Sequence, residues 1–171
     1  QGINPAAEKS SGVGPLLSTT WNQSPYYNQF CPINPADGQY SVTGCVATAM
    51  AQIMKYWNYP AQGTGSFSYA DDNAHGYQSN EGTLSANFGA TTYQWTQMPN
   101  HLTGNNNAVA TLMSHCGISV AMDYSDAGSG AYVLQSDANS AFGYSGAPCA
   151  QHSFVTYFLY DPNTIQGVHQ S

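Results

Sequence analysis

The stretch TGCVATAMAQIMKYWNYP, residues 43–60, decides the fold because it holds the clearest helical pattern in the chain. Its apolar residues recur every three or four positions and form one stripe: Val46, Ala49, Met50, Ile53, Met54 and Trp57. The spacing predicts a helix from about Gly44 to Tyr59, with Thr43 as its N-cap and Pro60 as its stop. Cys45 is therefore expected in the first turn of this helix.

The position of Cys45 has two interpretations. Cysteine attacks carbonyl groups as the thiolate, and the unpaired N–H groups at a helix N-terminus favour that anion. Gly44 allows close approach of the backbone, and the small residues at 46–49 leave room for a substrate chain above the helix end. A buried structural cysteine at a helix start fits the local pattern equally well. Both interpretations stay open on this stretch alone.

The regions on either side of residues 43–60 show less hydrophobic periodicity. Residues 1–20 are rich in Ser, Gly and Pro and predict an extended entry segment, and Pro25 favours a loop over residues 21–26. Residues 61–92 are dominated by Gly, Ser, Asn and Asp, which indicates loops and short strand pieces.

Further downstream the pattern predicts two more helices and one short strand. A helix is expected over residues 106–116, stopped by Gly117, followed by a strand over residues 118–122. A turn at residues 128–130 precedes a third helix, from Tyr132 to Phe142, which Gly143 ends. Residues 154–159 suit either a strand or a helix. Without a repeat or linker, we expect a single α+β domain over residues 21–171.

The composition excludes some partners. Only 6% of residues are charged, and two lysines, Lys9 and Lys55, stand against nine acidic residues. Binding to nucleic acid or an anionic membrane needs clustered basic residues, so neither is expected. No apolar run approaches the roughly 18 residues that cross a bilayer. A polar but uncharged composition is typical of secreted proteins, and we expect any export signal to have been removed.

The cysteines and histidines do not form a metal-binding pattern. Cys31, Cys45, Cys116 and Cys149 contain no C-x-x-C spacing, and the five histidines are scattered singly. We therefore expect no metal and no organic cofactor. The cysteines suit two disulfides or small buried apolar residues, and if Cys45 is a free nucleophile at most one pair forms among the others.

Residues 43–60 resemble the block around the active-site cysteine of the streptopain (C10) family of papain-like cysteine peptidases. Further blocks occur in the family's order and cover most of residues 13–145: residues 13–17, 21–23, 93–95, 117–124, 128–131 and 142–144. The resemblance implies a papain-like fold and a secreted cysteine endopeptidase that cleaves protein or peptide substrates through a thioester acyl-enzyme on Cys45.

The resemblance also implies roles for residues to which the sequence pattern alone assigns no function. Gln23 matches the position that forms the oxyanion hole together with the backbone N–H of Cys45, and such a donor is worth about 3 kcal/mol. Ser129 and Gly128 resemble a substrate-binding position, where backbone groups pair with an extended peptide. By itself, Gln23 would be interpreted as a solvated turn residue and the Gly-Ser-Gly segment as a flexible turn.

The segment that carries the family's general base has no match of the same form in this sequence. In the family this histidine lies far downstream in a Gly-Gly-His segment followed by a Trp-rich segment, and neither is present in that form. His152 echoes the segment without its glycines and is the candidate base within the chain. His75, His101 and His115 are interpreted as surface or helix-flank residues, and His169 lies near the end.

Three accounts fit the missing C-terminal, histidine-bearing part. The chain is a fragment or one chain of a processed protein, or a second polypeptide supplies the catalytic histidine, or the chain is a non-catalytic descendant. In the last case it is a secreted structural, binding or self-assembling module that uses its thirteen tyrosines for contact. The reactivity of Cys45 discriminates these accounts, because a disulfide there contradicts the enzyme.

Overall fold

The computed structural model describes residues 14–71, 76 and 81–168, which contain four helices and a two-stranded hairpin. The elements are α1 (Cys45–Trp57), β1 (Ser66–Ala70), β2 (Thr83–Asn87), α2 (Asn107–Ser119), α3 (Gln135–Phe142) and α4 (Ala150–Thr156). The strands pair antiparallel, with Ser66 opposite Asn87 and Ala70 opposite Thr83. Short 3-10 turns follow at Phe88–Ala90 and Trp95–Gln97. The expected loops with short strand pieces are confirmed over the described residues of 61–92, which leave out 72–75 and 77–80.

Helix α1 is confirmed, but its predicted cap is wrong. The N-cap position belongs to Gly44, which has no side chain to cap the helix. The Thr43 hydroxyl instead forms a 2.8 Å hydrogen bond with the hydroxyl of Thr48, inside the protein. At the other end Asn58 adopts the left-handed conformation with φ 47°, so that the helix stops before Pro60.

Helix α2 is longer than predicted, and the strand over residues 118–122 is wrong. The helix passes through Gly117 and ends at Ser119, and the chain then turns back. A Cβ atom on Gly117 would lie 2.0 Å from the Tyr124 hydroxyl, so glycine is needed here for close packing and not for a helix stop. Residues 118–122 resemble a strand because Val120 and Met122 are buried in that turn.

The third helix begins three residues later than predicted and ends as predicted. The carbonyls of Tyr132 and Val133 accept hydrogen bonds from the backbone N–H groups of Ala150 and Gln151, at 3.0 and 3.1 Å. This pairing holds residues 132–133 extended, and α3 starts only after it. Gly143 terminates α3 in the left-handed conformation. Residues 154–159, left open between strand and helix, complete α4 and a following turn.

The core lies where α1 packs on α2, and the hairpin covers α2 from the other side. The largest fully buried side chains join these elements: Met50, Met54, Phe88, Leu112, Met113, Tyr124 and Phe158. Residues 14–20 run without regular structure and attach through Thr20, whose N–H donates to the Asn100 carbonyl at 2.8 Å. The first thirteen residues of the predicted entry segment lie outside the described residues. No helix in the described ranges has the length and apolar character needed to span a membrane.

Candidate active site

Cys45 is the first residue of α1, and its side chain is exposed. The residue before it, Gly44, has φ +82°, a conformation that favours glycine. A Cβ atom on Gly44 would lie 2.7 Å from the Met122 side chain and 3.1 Å from the Ser129 carbonyl oxygen. The backbone at the nucleophile is therefore packed directly against the 122–129 segment, while the thiol itself faces solvent.

The other three cysteines are buried, and all four are free thiols. Burial raises the pKa of Cys31 to about 12 and also raises the pKa of Cys116 and Cys149. Cys116 is enclosed against Met54, with 3.7 Å between the sulfur atoms. These three stay protonated and inaccessible, so Cys45 is the cysteine whose thiol is open to solvent.

Gln23 is fixed beside the nucleophile by its backbone. Its carbonyl accepts a hydrogen bond of 3.3 Å from the N–H of Thr43, two residues before Cys45. The loop is anchored by the buried Trp21, whose indole N–H donates to the Pro99 carbonyl at 2.8 Å. The Gln23 backbone is thus held against the segment that leads into α1, and the Gln23 side chain is half-buried.

Ser129 is buried, and its hydroxyl holds the site together. It donates to the Val42 carbonyl at 2.8 Å and accepts from the N–H of Ser125 at 3.1 Å. The N–H of Val42 in turn donates to the Ser125 carbonyl at 3.0 Å. Two further backbone hydrogen bonds, of 2.9 and 3.0 Å, join Asp123 to Gly130. The hydroxyl is thereby used within the chain, and contact of a peptide with the backbone around Gly128 and Ser129 stays a prediction.

The described histidines make their hydrogen bonds elsewhere. His152 lies on α4, where its Nε2 is 3.2 Å from the Thr156 hydroxyl and its ring meets Tyr157 edge-on, and burial lowers its pKa. Burial lowers the pKa of His115 to about 4, and its Nδ1 lies 3.0 Å from the Tyr93 hydroxyl.

His101 pairs with Thr20 at 3.2 Å. His75 and His169 lie outside the described residues. The structure therefore brings Cys45, Gln23 and Ser129 together, and none of these recorded histidine hydrogen bonds reaches Cys45.

The sequence did not predict the roles of Val42 and Ser125, whose backbone hydrogen bonds connect the segments that hold Cys45, Gln23 and Ser129. We call these connected segments the active-site frame. Ser129 and Val42 are 87 positions apart, and neither Val42 nor Ser125 belongs to a pattern with a chemical signature. Their roles are carried by backbone groups, which every residue type possesses. A local sequence signal for them does not exist.

The frame around Cys45 lies within a stretch of the chain that matches a family model. The sequence model of the peptidase C10 family matches residues 21–163. The chain belongs to the peptidase C10 family. It is 35% identical to streptopain of Streptococcus pyogenes in an alignment of 140 residues, with coverage of 73% of this chain and 35% of streptopain. It is 33% identical to the thiol protease/hemagglutinin PrtT of Porphyromonas gingivalis in an alignment of 143 residues, with coverage of 76% of this chain and 16% of PrtT.

Solved structures of this family show the same papain-like cysteine protease fold. Active interpain A of Prevotella intermedia superimposes with a TM-score of 0.65 at 38% identity, covering 85% of this chain and 55% of interpain A. A prointerpain A fragment from the same organism gives a TM-score of 0.64 at 37% identity, covering 85% of this chain and 43% of the fragment. The chain thus spans between a sixth and just over half of the relatives it matches.

Proposed function

We propose that this chain is the nucleophile-bearing part of a secreted cysteine endopeptidase, which cleaves protein or peptide substrates through a thioester on Cys45. The observation that carries the proposal is the exposed Cys45 at the start of α1, with Gly44 packed against the Ser129 carbonyl and Thr43 bonded to Gln23. Family membership supplies the reaction class. The scarcity of charge supports secretion and argues against nucleic acid as a partner.

The arrangement suits acyl transfer. The Cys45 thiolate attacks the scissile carbonyl carbon, a C–S bond forms, and the carbonyl oxygen becomes an oxyanion. The backbone N–H of Cys45 and the Gln23 side-chain amide are the donors assigned to that oxygen. When the intermediate collapses, the C–N bond breaks and the amine leaves with a proton from the general acid. Water then hydrolyses the thioester and regenerates the thiol.

The general base belongs on a polypeptide that covers the open face of α1. Residues four positions apart leave one exposed stripe along the helix: Cys45, Ala49, Ile53 and Trp57. Trp57 is 64% exposed, and the stripe ends in a largely apolar groove of about 880 Å³ between α1, α4 and residues 159–167. Interpain A contains almost as much polypeptide again as the part matched here. A polypeptide that covers this face and carries the histidine accounts for the exposed apolar surface and for the additional length of interpain A. His152 is the alternative base within the chain.

Thiol chemistry tests the proposal. Iodoacetamide at mildly acidic pH, followed by mass mapping, is expected to modify Cys45 selectively, and at least about tenfold faster than free cysteine when the polypeptide that carries the base is present. The buried Cys31, Cys116 and Cys149 serve as internal controls. A disulfide at Cys45, or a rate no faster than that of free cysteine, would support a non-catalytic binding or structural module instead. An unchanged rate in His152→Ala would place the base outside the chain, and a loss of selectivity would assign it to His152.

A peptide aldehyde tests the oxyanion assignment separately, because its hemithioacetal with Cys45 carries the oxygen that Gln23 would stabilise. Gln23→Ala is expected to weaken aldehyde binding by about a hundredfold, from a donor worth about 3 kcal/mol, without changing the rate of iodoacetamide alkylation. Gln94→Ala, at an exposed glutamine remote from α1's first turn, is the matched control. Equal aldehyde affinity for the Gln23 and Gln94 variants would remove Gln23 from the oxyanion hole.

A further inference from the structure

A second groove is lined in part by Val42, whose carbonyl accepts the hydrogen bond from Ser129, and we call it the Asp126 groove. It has a volume of about 550 Å³ and is lined by Pro25, Tyr26, Gln29, Tyr40, Val42 and Asp126, among others. Four chain segments contribute to it, and three of them adjoin the active-site frame. Residues 24–29 follow Gln23, residues 39–42 lead into Gly44, and Asp126 follows Ser125, which is hydrogen-bonded to Val42. The groove therefore shares Val42 with the frame that positions Cys45.

The acidic group of this groove is an exposed carboxylate held in place by neighbours. Asp126 Oδ1 accepts from the Asn34 side-chain amide at 3.3 Å and from the Ser125 hydroxyl at 3.4 Å. Desolvation works against ionisation, but the interaction with the Asp37 carboxyl group and hydrogen bonds from the Asn34 amide and the backbone N–H groups of Asp126 and Ala127 lower the pKa of Asp126. Asp126 consequently carries a negative charge at neutral and mildly acidic pH.

Two aromatic rings line the same groove, and none of the described residues that line it is basic. Tyr26 and Tyr40 are both partly exposed, and a cation over a tyrosine ring gains about 0.5–1 kcal/mol at such sites. Lys55, the lysine within the described residues, is bonded to the Trp95 carbonyl at 2.7 Å, away from the groove. The groove thus combines a fixed carboxylate with aromatic surface and lacks a cation of its own among the residues described.

We propose that the Asp126 groove binds the side chain of a lysine or arginine at the substrate residue whose carbonyl Cys45 attacks. The reach is suitable, because Val42 lies three residues before Cys45 and such a segment spans at most about 11 Å. A long basic side chain crosses that distance and places its charge at Asp126, with its methylene groups on the tyrosine rings. This inference deepens the proposed function and rests on it for the attacked carbonyl.

The test uses peptidyl chloromethyl ketones that differ only in the last side chain: arginine, norleucine or glutamate. Their alkylation rates at Cys45 are each divided by the rate of plain iodoacetamide on the same protein. In the natural chain the arginyl reagent is expected to react about fivefold faster than the norleucyl reagent, and the glutamyl reagent slowest. Asp126→Asn should bring the arginyl-to-norleucyl ratio close to one. Asp137→Asn, which removes the same charge on α3, should leave the ratio unchanged.

The two proposals fail in different ways. An unactivated Cys45 appears as a slow iodoacetamide rate and contradicts the proposed function, while the ratio between the ketones still reports on the groove. Equal arginyl and norleucyl rates in the natural chain overturn the specificity assignment even when Cys45 is highly reactive. A preference that survives in Asp126→Asn also overturns it, because the carboxylate would then contribute nothing. A fall of the ratio with added salt supports it, since the ion pair is exposed.

Discussion

The two ends of α1 differ in how completely the chain surrounds them. At the N-terminal end, Gly44 is enclosed by Met122 and Ser129, and both backbone groups of Val42 are hydrogen-bonded. At the C-terminal end, Ile53 and Trp57 are exposed above an open apolar groove. One helix therefore has an enclosed backbone at its start and an open apolar surface at its end.

This difference separates the contacts that the chain makes within itself from the surface that it leaves open. The position of the thiol is fixed by contacts within the chain, so substitutions at the N-terminal end should change both stability and the reactivity of Cys45. The exposed side chains of Ile53 and Trp57 contribute little to the chain's own packing, and under the proposed function substitutions there should change association alone. Each of the following experiments tests one side of this contrast.

Gly44→Ala is expected to have the largest effect. The new Cβ meets Met122 and the Ser129 carbonyl in a backbone conformation that disfavours alanine, so the free energy of unfolding should fall by about 3 kcal/mol. Urea denaturation measures the loss, and iodoacetamide labelling should show slower modification of Cys45. Gly38→Ala is the matched control, because Gly38 has φ +74° and nothing within 4 Å of its Cβ position. Equal losses in the two variants would mean that backbone strain, and not enclosure at the nucleophile, sets the effect.

A buried acid pair lies beneath the same N-terminal frame and makes it sensitive to pH. Asp71 is 2% exposed and in contact with Glu81, which accepts a hydrogen bond of 3.1 Å from the Ser41 hydroxyl. Burial, followed by the contact with Glu81 and the charges of Glu81 and Asp123, raises the pKa of Asp71 to about 8. Since two carboxylates cannot donate to each other, the pair is satisfied only while one carries a proton.

The pH dependence of stability follows from this raised pKa. The folded chain keeps a proton that the unfolded chain releases near pH 4, so the stability is highest below pH 4 for this group and falls until about pH 8. Between pH 6 and pH 8 we expect a loss of about 2 kcal/mol in urea unfolding. Asp71→Asn should abolish that slope, and the exposed Asp161→Asn should retain it. A natural chain whose urea midpoint stays constant across this range would contradict the shared proton.

Ser129→Ala tests the contacts near the start of α1 that depend on a side-chain hydroxyl and not on backbone groups. Removing the hydroxyl leaves the Val42 carbonyl and the Ser125 N–H without this partner, at a cost of about 1–2 kcal/mol. Thermal unfolding measures it, and Ser136→Ala on the exposed start of α3 is the control. If both variants melt at the same temperature, the hydroxyl does not hold the frame.

The sequence predicted the parts of this structure that depend on neighbours in the chain. The spacing of apolar residues located α1 and placed Cys45 at its start, and Gly143 was correctly expected to end α3. Gly117 was misinterpreted because its reason is a contact with Tyr124 and not a helix stop. Of the site, the family motif indicated Cys45, Gln23 and Ser129, whereas Val42 and Ser125 act through backbone pairing across more than eighty positions. Local pattern carries no information about such pairing.

Trp57→Lys is expected to have the smallest effect on the chain alone. Because the indole is mostly exposed, the free energy of unfolding should change by no more than about 0.5 kcal/mol, with alkylation of Cys45 unaffected. In a longer protein that covers this face, the same change would bury an unpaired charge and cost several times more. Comparing urea midpoints of the two lengths measures the difference, with Leu16→Lys as a control at another exposed apolar residue. A loss above about 1 kcal/mol in the short chain would show that Trp57 already packs within it, and the proposed covering polypeptide would lose its binding surface.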